Sequence, residues 1–495
     1  MRLYDLLSAA GIACPDGIGD TPVTSIVTDS RKVTEGCMFI CINGLHTDSH
    51  NFIKNAVDRG ASVIVHEAMR DMCVGGAAAV KVMNTRRAAA MLYDAWYAHP
   101  AKYMKIVGVT GTNGKTSVSY ILKSVFEDCG YRCGLVGTLG CMSGNRRLEY
   151  GTWDSLSNMT TPDPEDLYRI LDEMRRDGVE YVFIEATSHA SALNKLDALY
   201  FDTLVFTNLT QDHLDFHGNM KEYFEAKAKL FERARSAVIN FDDDYAKGIL
   251  SSFLGGRASL CSLKDKNAEY FASDIDLDAN EGVSYRLNVR EGVFDVKLPS
   301  FFGGFSVINS LEAIAVAKEN GIEYRDILRS FESLSGVPGR MERVSLPQNI
   351  GFSVYLDYAH TPDALEKSLL TLRKIKGEGR LITLFGCGGD RDRGKRRLMG
   401  NVASALSDFV IVTSDNSRSE DKMNIISDIY RGIDKEKAHK IIPDREEAIK
   451  FAVLYARAGD TILLAGKGHE KYEINETGRH PFDEKEIVRR AAESL

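Results

Sequence analysis

One segment constrains the fold of this chain more than any other, because it joins an apolar strand to a helix through a run of glycines. The strand is expected over residues 105–109, the turn carries Gly111 and Gly114, and an amphipathic helix is expected over 117–126. Glycines allow successive backbone N–H groups to converge on one anion, and the helix N-terminus adds its positive dipole end. The segment therefore predicts a phosphate-binding loop within an α/β sheet.

The side chains of this loop suit a nucleotide. Lys115 has the reach to contact terminal phosphates, and Thr116 offers a hydroxyl to Mg²⁺. Five residues separate Gly108 from Gly114, so the loop departs by one position from the strict GxxxxGK[ST] pattern and keeps its Gly-Lys-Thr core. The residues expected to bind the nucleotide are Gly111, Thr112, Asn113, Gly114, Lys115, Thr116 and Ser117.

Length and composition limit the number of domains and the class of protein. The 495 residues, 44% of them hydrophobic, suffice for roughly three domains of ~100–200 residues each. The net charge of −8 argues against a general nucleic-acid binder. No apolar run approaches the ~20 residues that span a bilayer, so we expect a cytoplasmic protein without membrane insertion. The nine cysteines form no CxxC pair, which favours free thiols over zinc or disulfide roles.

Strand-like and helix-like segments alternate along the whole chain. This alternation predicts an α/β protein with mostly parallel sheets. Breaks near Pro100 and near residues 336–339 divide it into domains 1–100, 101–335 and 336–495, of which the second contains the glycine-rich loop. Asp163 is expected to cap a helix that begins at Pro164.

Two strand ends in the central part carry polar side chains. Glu185 ends the strand expected over 181–184 and is followed closely by His189. The strand that ends at Phe206 is followed by Asp212, His213, Asp215 and His217. Ligands bind at the carboxyl ends of parallel strands, so a Mg²⁺ or substrate site is one interpretation. Ordinary loop contacts and a solvated polar loop are the others.

Nine ordered segments resemble those of the Mur ligases. They read GTNGKTS, EATSHA, NLTQDHLDFHG, AKAKLF, GVPGRMERV, DYAHTPDALEKSL, FGCGGDRDRGKRRLMG, TSDNSRSE and AGKGHEKYEI. The similarity extends over all three predicted domains and is weakest between about residues 142 and 157. It implies an N-terminal UDP-muramoyl-binding domain, a central P-loop ATPase domain of mostly parallel sheet, and a C-terminal Rossmann-like domain that binds an amino acid.

The resemblance also implies an activity. Within the family, the motifs are most similar to those of members that add the third residue of the peptidoglycan peptide. The implied reaction is ATP-dependent ligation of meso-diaminopimelate to UDP-N-acetylmuramoyl-L-alanyl-D-glutamate through an acyl phosphate, with release of ADP. We expect a monomer with no nucleic-acid partner.

The catalytic residues that the resemblance implies are Lys115, Glu185, His213 and Lys227. Thr116 and Glu185 would hold one Mg²⁺. His213 and Lys227 would serve a second, with Lys227 converted by CO₂ to a carbamate that supplies oxygen ligands. Carbamate formation requires a neutral amine, so the pKa of Lys227 is expected to be depressed.

Substrate contacts follow from the same motifs. The nucleotide base and ribose would be contacted by Asn309, Arg340, Asp357 and His360, although Asn309 is equally suited to capping a helix that begins at Ser310. The UDP-muramoyl dipeptide would contact Thr28, Ser30, Leu45, His46, Thr47, Thr160, Thr161, Thr187, Ser188 and Lys195. Lysine at position 195 replaces the usual arginine and loses its bidentate fork. Met159 stands where a polar residue is common.

The incoming amino acid would contact Arg391, Asp415, Asn416, Ser417, Arg418, Gly466 and Glu470. The family's diaminopimelate-selecting signature, Asp-Asn-Pro-Arg, here has serine at position 417 and keeps Arg418, which is able to bind a carboxylate by two hydrogen bonds. Arg418 taken alone is more typical of a solvated surface residue than of a substrate-binding one. We expect diaminopimelate, with L-lysine as the alternative. A folylpolyglutamate-synthetase-like ligase and a catalytically silent nucleotide-binding regulator are further alternatives.

Overall fold

The computed structural model describes residues 1–44, 47–67, 76–150, 159–278 and 281–495. Its three large sheets follow one another along the chain. Within the described residues, no helix combines the length and the apolar character needed to cross a membrane. The eight cysteines among these residues are all free thiols, and Cys73 lies outside them.

The N-terminal sheet has four parallel strands in the order β1-β2-β3-β4. Its strands are short and rich in β-branched residues, which pack well on both buried faces of a parallel sheet. The elements of this region are α1 (Leu3–Ala9), β1 (Ile26–Val27), β2 (Met38–Ile40), α2 (Ile53–Asp58), β3 (Val63–His66), β4 (Ala78–Lys81) and α3 (Thr85–Trp96).

The central sheet has eleven strands in the order β15-β14-β13-β12-β11-β10-β5-β9-β6-β7-β8. Its six inner pairs are parallel, and the pairs at both edges are antiparallel. Its strands are β5 (Lys105–Thr110), β6 (Cys133–Gly137), β7 (Gly140–Ser143), β8 (Arg146–Leu148), β9 (Tyr181–Glu185), β10 (Phe201–Phe206), β11 (Ala234–Asn240), β12 (Arg257–Ser262), β13 (Tyr270–Asp278), β14 (Gly282–Val289) and β15 (Gly292–Leu298).

Helices cover both faces of this sheet and bury its apolar strands. They are α4 (Lys115–Asp128), α5 (Pro164–Arg176), α6 (Ser188–Ala192), α7 (Leu214–His217), α8 (Met220–Phe231), α9 (Ala246–Ser252), α10 (Gly304–Glu319) and α11 (Tyr324–Ser333). Two separate clusters of buried apolar side chains lie on the two faces. The mostly parallel α/β architecture predicted from the sequence is confirmed.

The C-terminal sheet has six strands in the order β16-β17-β21-β18-β19-β20, and only the β16–β17 pair is antiparallel. A hairpin of β22 and β23 follows it. The strands are β16 (Glu342–Arg343), β17 (Ser353–Asp357), β18 (Leu381–Phe385), β19 (Phe409–Val412), β20 (His439–Ile441), β21 (Thr461–Ala465), β22 (Tyr472–Asn475) and β23 (Gly478–Pro481). The helices are α12 (Pro362–Ile375), α13 (Gly394–Leu406), α14 (Lys422–Tyr430), α15 (Arg445–Tyr455) and α16 (Glu484–Ala492).

Two expectations about helix caps are wrong. Asp163 occupies the N-cap position of α5, but its side chain caps no backbone amide and instead pairs with the buried ammonium group of Lys195 at 2.8 Å. An unpaired buried charge costs more free energy than a backbone amide that water can reach. Asn309 does not precede a helix, because α10 already begins at Gly304. The predicted domain boundaries at residues 100 and 335 stay predictions.

Helix α10 buries a carboxyl group that has no partner. Glu312 is completely buried, and both of its carboxyl oxygens lack a hydrogen-bond partner within the described part of the chain. Burial raises its pKa well above the usual value. Burial therefore favours the protonated, neutral form of this carboxyl group in the folded protein.

This burial predicts a pH-dependent stability. Above pH 4.5 the unfolded chain loses the proton that the folded chain keeps, so Glu312 destabilises the fold by up to about 1.4 kcal/mol per pH unit as the pH rises. The variant Glu312→Gln should gain thermal stability over the parent chain between pH 5 and pH 8. Glu332→Gln, at an exposed position of α11, is the control. A stability difference for Glu312→Gln that does not change with pH would contradict the prediction.

Candidate active site

The glycine-rich loop connects β5 to α4 in the predicted way. Gly114 has a φ of +91°, and a Cβ atom there would lie 2.8 Å from Oδ1 of Asn309. Nζ of Lys115 donates hydrogen bonds to the carbonyl oxygens of Gly111 and Thr112 at 2.9 and 2.8 Å. The lysine charge thus lies over the loop, and Ser117 lies in the first turn of the helix.

A neighbouring loop and the C-terminal domain hold this loop in place. The amide N–H of Asn113 donates to Oδ1 of Asn208 at 2.9 Å, and that of Thr112 donates to the carbonyl oxygen of Asn208. The side chain of Asn113 donates to Asp363 at the start of α12 at 3.0 Å. The loop is therefore fixed by two elements distant in sequence.

Thr116 and Glu185 meet next to the loop, as predicted. Oγ1 of Thr116 donates to Oε2 of Glu185 at 3.0 Å, and the Thr138 amide donates to the other carboxylate oxygen at 2.8 Å. Arg340, from the C-terminal domain, donates to Thr116 at 3.0 Å. A hydroxyl beside a carboxylate is the hard oxygen donor set that Mg²⁺ prefers, so this pair fits the ion.

Lys227 lies beneath the loop on α8. It is 1% exposed, and its Nζ donates to the carbonyl oxygen of Gly111 at 2.8 Å and lies 4.6 Å from the ring centre of Tyr223. Burial, and then the charge of Lys115, lowers the pKa of Lys227 well below its usual value. The predicted depression of this pKa is confirmed.

His213 lies among other imidazole rings. Its backbone is left-handed, its Nε2 lies 3.3 Å from Oδ2 of Asp212, and its ring centre lies 4.6 Å from that of His189. Burial lowers the pKa of His213, so the ring is neutral. Among the described residues, no three His, Cys, Asp or Glu side chains are arranged to hold a metal ion. The amine of Lys227 supplies no oxygen ligand unless it is modified.

Four of the residues assigned to the muramoyl peptide gather around Glu185. Thr161 donates to the Glu185 carbonyl at 2.7 Å and contacts Thr187 at 3.0 Å. Thr160 contacts Thr138 at 3.1 Å, and Ser188 contacts His217 at 2.9 Å.

The other residues assigned to this substrate lie in other segments of the chain. Lys195 is buried, with its Nζ 2.8 Å from both Asp163 and the sulfur of Met159. Thr28, Ser30 and Thr47 lie on the N-terminal domain, and Leu45 and His46 lie outside the described residues.

The C-terminal domain brings the remaining nucleotide residues to the same cleft. Nε2 of His360 lies 3.9 Å from Asp212, and the guanidinium of Arg340 lies 4.6 Å from the ring centre of Tyr358. The carboxylate of Asp357 accepts hydrogen bonds from the amides of Met341 and Ala359 at 2.6 and 2.9 Å. Asp357 therefore fixes the backbone of this segment.

Six of the seven residues assigned to the amino acid lie on two loops that follow β19 and β21, and Arg391 lies on the loop that follows β18. Asp415, Asn416 and Ser417 are buried in the first loop. Nδ2 of Asn416 donates to Glu470 of the second loop at 2.8 Å. Gly466 has a φ of +114°, and a Cβ atom there would lie 2.5 Å from Asp415. Only glycine fits at this position.

Lys467 is a site residue that the sequence analysis missed. It is completely buried, and its Nζ donates to Oδ1 of Asn416 at 2.8 Å and lies 3.6 Å from Oδ1 of Asp415. Its position inside the AGKGHEKYEI segment, next to Gly466, placed it near the site but did not indicate these contacts.

Two guanidinium groups face the amino-acid loops. Arg418 has a left-handed backbone and donates to the carbonyl oxygen of Gly389 at 2.8 Å. Burial, and then the charge of the exposed Arg391, lowers the pKa of Arg418. Two cations that repel each other here suit an anionic group such as a carboxylate.

Comparisons with known proteins identify a family and several relatives for this chain. Three family descriptions match successive parts of the chain: "Mur ligase family, catalytic domain" at 22–106, "Mur ligase middle domain" at 109–317 and "Mur ligase, glutamate ligase domain" at 339–468. The UDP-N-acetylmuramoyl-L-alanyl-D-glutamate–2,6-diaminopimelate ligase of Clostridioides difficile (strain 630) is 40% identical over 493 residues, which cover 99% of each chain.

Solved structures with a similar fold are also known. A UDP-N-acetylmuramoyl-L-alanyl-D-glutamate–2,6-diaminopimelate ligase is 32% identical, with a TM-score of 0.71, over 100% of this chain and 99% of the other. Mycobacterium tuberculosis folylpolyglutamate synthase is 18% identical, with a TM-score of 0.62, over 77% of this chain and 92% of the other. The second likeness concerns the fold alone.

The small space between Gly114 and Asn309 predicts that an added side chain at position 114 lowers nucleotide affinity. Gly114→Ala would push the new methyl group against Asn309 and distort the loop, so the nucleotide dissociation constant should rise at least about tenfold. Gly130→Ala is a matched control, because Gly130 follows the other end of α4 with the same φ of +91° and nothing within 4 Å. Titration with a fluorescent ATP analogue measures both variants. Equal losses in the two would contradict the prediction.

Proposed function

The chain belongs to the Mur ligase family, and from this premise we propose that it ligates meso-diaminopimelate to UDP-N-acetylmuramoyl-L-alanyl-D-glutamate in the cytoplasm, with conversion of ATP to ADP and phosphate. Members of this family are ATP-dependent ligases that form peptide bonds. The product would be a precursor of peptidoglycan. The names of the relatives at 39–40% identity support this substrate set.

The arrangement of Arg418, Arg391 and Glu470 carries the choice of amino acid. The distal end of diaminopimelate bears a carboxylate and an ammonium group, which match the two guanidinium groups and the carboxylate of Glu470. L-Lysine has no distal carboxylate, so it would leave the half-buried Arg418 without an anion. An unpaired polar group of this kind disfavours the wrong substrate strongly.

The proposed reaction brings two anions together. The D-glutamyl carboxylate attacks the γ-phosphate, and the amine of diaminopimelate then attacks the acyl phosphate and expels phosphate. Lys115 and Arg340 lie beside Thr116 and offset the repulsion between the anions. A Mg²⁺ ion held by Thr116 and Glu185 would neutralise further phosphate charge.

Lys227 is proposed to carry a carbamate. Its amine is buried and has a lowered pKa, which favours the neutral form that reacts with CO₂. The carbamate would put an anionic oxygen ligand beneath the loop in place of the amine, and together with His213 it would serve a second Mg²⁺.

Removal of this side chain gives a test of the carbamate. Lys227→Ala should lose ligase activity and recover part of it when a small carboxylate such as acetate fills the vacated space. Lys229→Ala, two residues along the same helix, removes an ion pair with the buried Asp197 and should keep its activity. ADP release is the readout. Full activity of Lys227→Ala without acetate would remove the carbamate from the proposal.

Competition between the two amino acids tests the function itself. The parent chain should release ADP only when both the UDP-muramoyl dipeptide and an amino acid are present, and it should prefer diaminopimelate to lysine. Arg418→Glu should reduce kcat/KM for diaminopimelate at least about a hundredfold and leave ATP affinity nearly unchanged. Arg397→Glu makes the same charge change on the exposed face of α13 and should have little effect.

Three outcomes of this assay would favour the alternatives. A preference for lysine would mean that the incoming amino acid is L-lysine rather than diaminopimelate. Ligation of glutamate to a folate would indicate the folylpolyglutamate type. Absence of ADP release with every substrate pair would indicate a silent nucleotide-binding regulator. The family match over residues 22–106 supports the muramoyl substrate over the folate.

A further inference from the structure

Arg445 lies beneath the two loops that carry all but one of the proposed amino-acid-binding residues, the exception being Arg391. It is the first residue of α15 and is 1% exposed. Its Nη1 donates to the carbonyl oxygen of Ser414 at 3.0 Å, and its Nη2 donates to that of Ala465 at 2.9 Å. Ser414 directly precedes Asp415 in one loop, and Ala465 directly precedes Gly466 in the other. A single guanidinium group therefore holds the starting points of both loops.

These two starting points are not neighbours in the sheet. Strand β18 lies between β19 and β21, so the guanidinium of Arg445 bridges across the end of a whole strand. The planar, five-donor fork of arginine can bind two carbonyl oxygens at a fixed separation, which the single ammonium of lysine cannot do.

The position of Arg445 is costly for stability. A cation in the first turn of a helix opposes the helix dipole. Its Nε donates to Oε1 of Glu484 at 2.8 Å, but Oε2 of Glu484 has no hydrogen-bond partner in the described ranges. A buried ion pair is often no more stabilising than an apolar pair of similar volume. The arrangement is therefore better explained by the geometry it imposes than by stability.

The same two loops are also joined by hydrogen bonds between their own side chains. Lys467 of the second loop donates to Asn416 of the first, and Asn416 donates to Glu470. This chain of hydrogen bonds keeps its geometry only when the two loops start a fixed distance apart. Arg445 also contributes charge, because burial would raise the pKa of Asp415 while Lys467 and then Arg445 lower it below its usual value.

We propose that Arg445 is a positioning residue for the amino-acid substrate, which sets the spacing of loops 415–418 and 466–470 and thereby the preference for diaminopimelate over lysine. This inference rests on the proposed function. Arg445 touches neither substrate, and it acts through the backbone of Ser414 and Ala465.

Arg445→Lys tests this role while it keeps a cation beside Glu484. The variant should raise KM for diaminopimelate about tenfold, leave KM for ATP and for the UDP-muramoyl dipeptide within about twofold, and lower the preference for diaminopimelate over lysine. Arg380→Lys is the matched control, because Arg380 pairs with Asp460 at 2.6 Å and donates to the Tyr455 carbonyl at the opposite end of the same sheet. It should leave the preference unchanged.

Hydrogen exchange provides a readout that needs no substrate. Backbone amides of residues 415–418 and 466–470 should exchange faster in Arg445→Lys than in the parent chain, and those at the opposite end of the sheet should not. An unchanged KM for diaminopimelate, an equal rise of all three KM values, or the same shift in Arg380→Lys would overturn the inference. If the parent chain releases no ADP with diaminopimelate, the proposed function fails. Exchange confined to the two loops would still support the spacing role, and unchanged exchange would overturn it.

Discussion

The carbonyl oxygen of Gly111 accepts hydrogen bonds from two lysines, and the candidate active site is organised around this shared acceptor. Nζ of Lys115, on α4, lies 2.9 Å from this oxygen, and Nζ of Lys227, on α8, lies 2.8 Å from it. Two ammonium groups this close repel each other strongly where water is scarce. Burial, and then this repulsion, lowers the pKa of Lys227 and favours its neutral form, which is the form that can be modified by CO₂. The loop thus connects the lysine proposed to contact phosphate with the lysine proposed to carry a carbamate.

The same site shows why the overall charge of the chain is a poor guide to its ligands. The net charge is −8, yet Lys115, Arg340, Arg391 and Arg418 all face clefts that would receive phosphate or carboxylate groups. Local placement of a few cations decides anion binding, because a charge at close range in a cleft outweighs screened charges elsewhere.

The sequence predicted those features that depend on local patterns. The loop at Gly111–Gly114, the strand end at Glu185 and the parallel sheets were read from glycine spacing and from the apolar character of short segments. Most of the fold could be predicted in this way. The start of α10 could not be predicted, because Asn309 lies in an apolar stretch. Such a stretch has the same pattern of residues whether it lies inside a buried helix or just before one.

The roles of Asp163, Lys467 and Arg445 could not be predicted either. Each depends on a partner far away in sequence: Lys195, Asn416 and the carbonyl oxygens of Ser414 and Ala465. Local propensity made Asp163 a helix cap, and tertiary pairing with a buried ammonium group prevailed. Residues that act by joining two loops carry no spacing signal of their own.

The hydrogen bonds of Asp357 have a consequence for the joint between the central and C-terminal domains. Asp357 holds Met341, and the carbonyl oxygen of Gly339 accepts from the amide of Tyr358, so the chain is already part of the last domain at Gly339. Val337 is buried among side chains of the central domain. The crossing is made within two or three residues, one of them a proline with a fixed φ. The two halves of the cleft are thus connected by a short segment with a restricted backbone rather than by a long flexible linker.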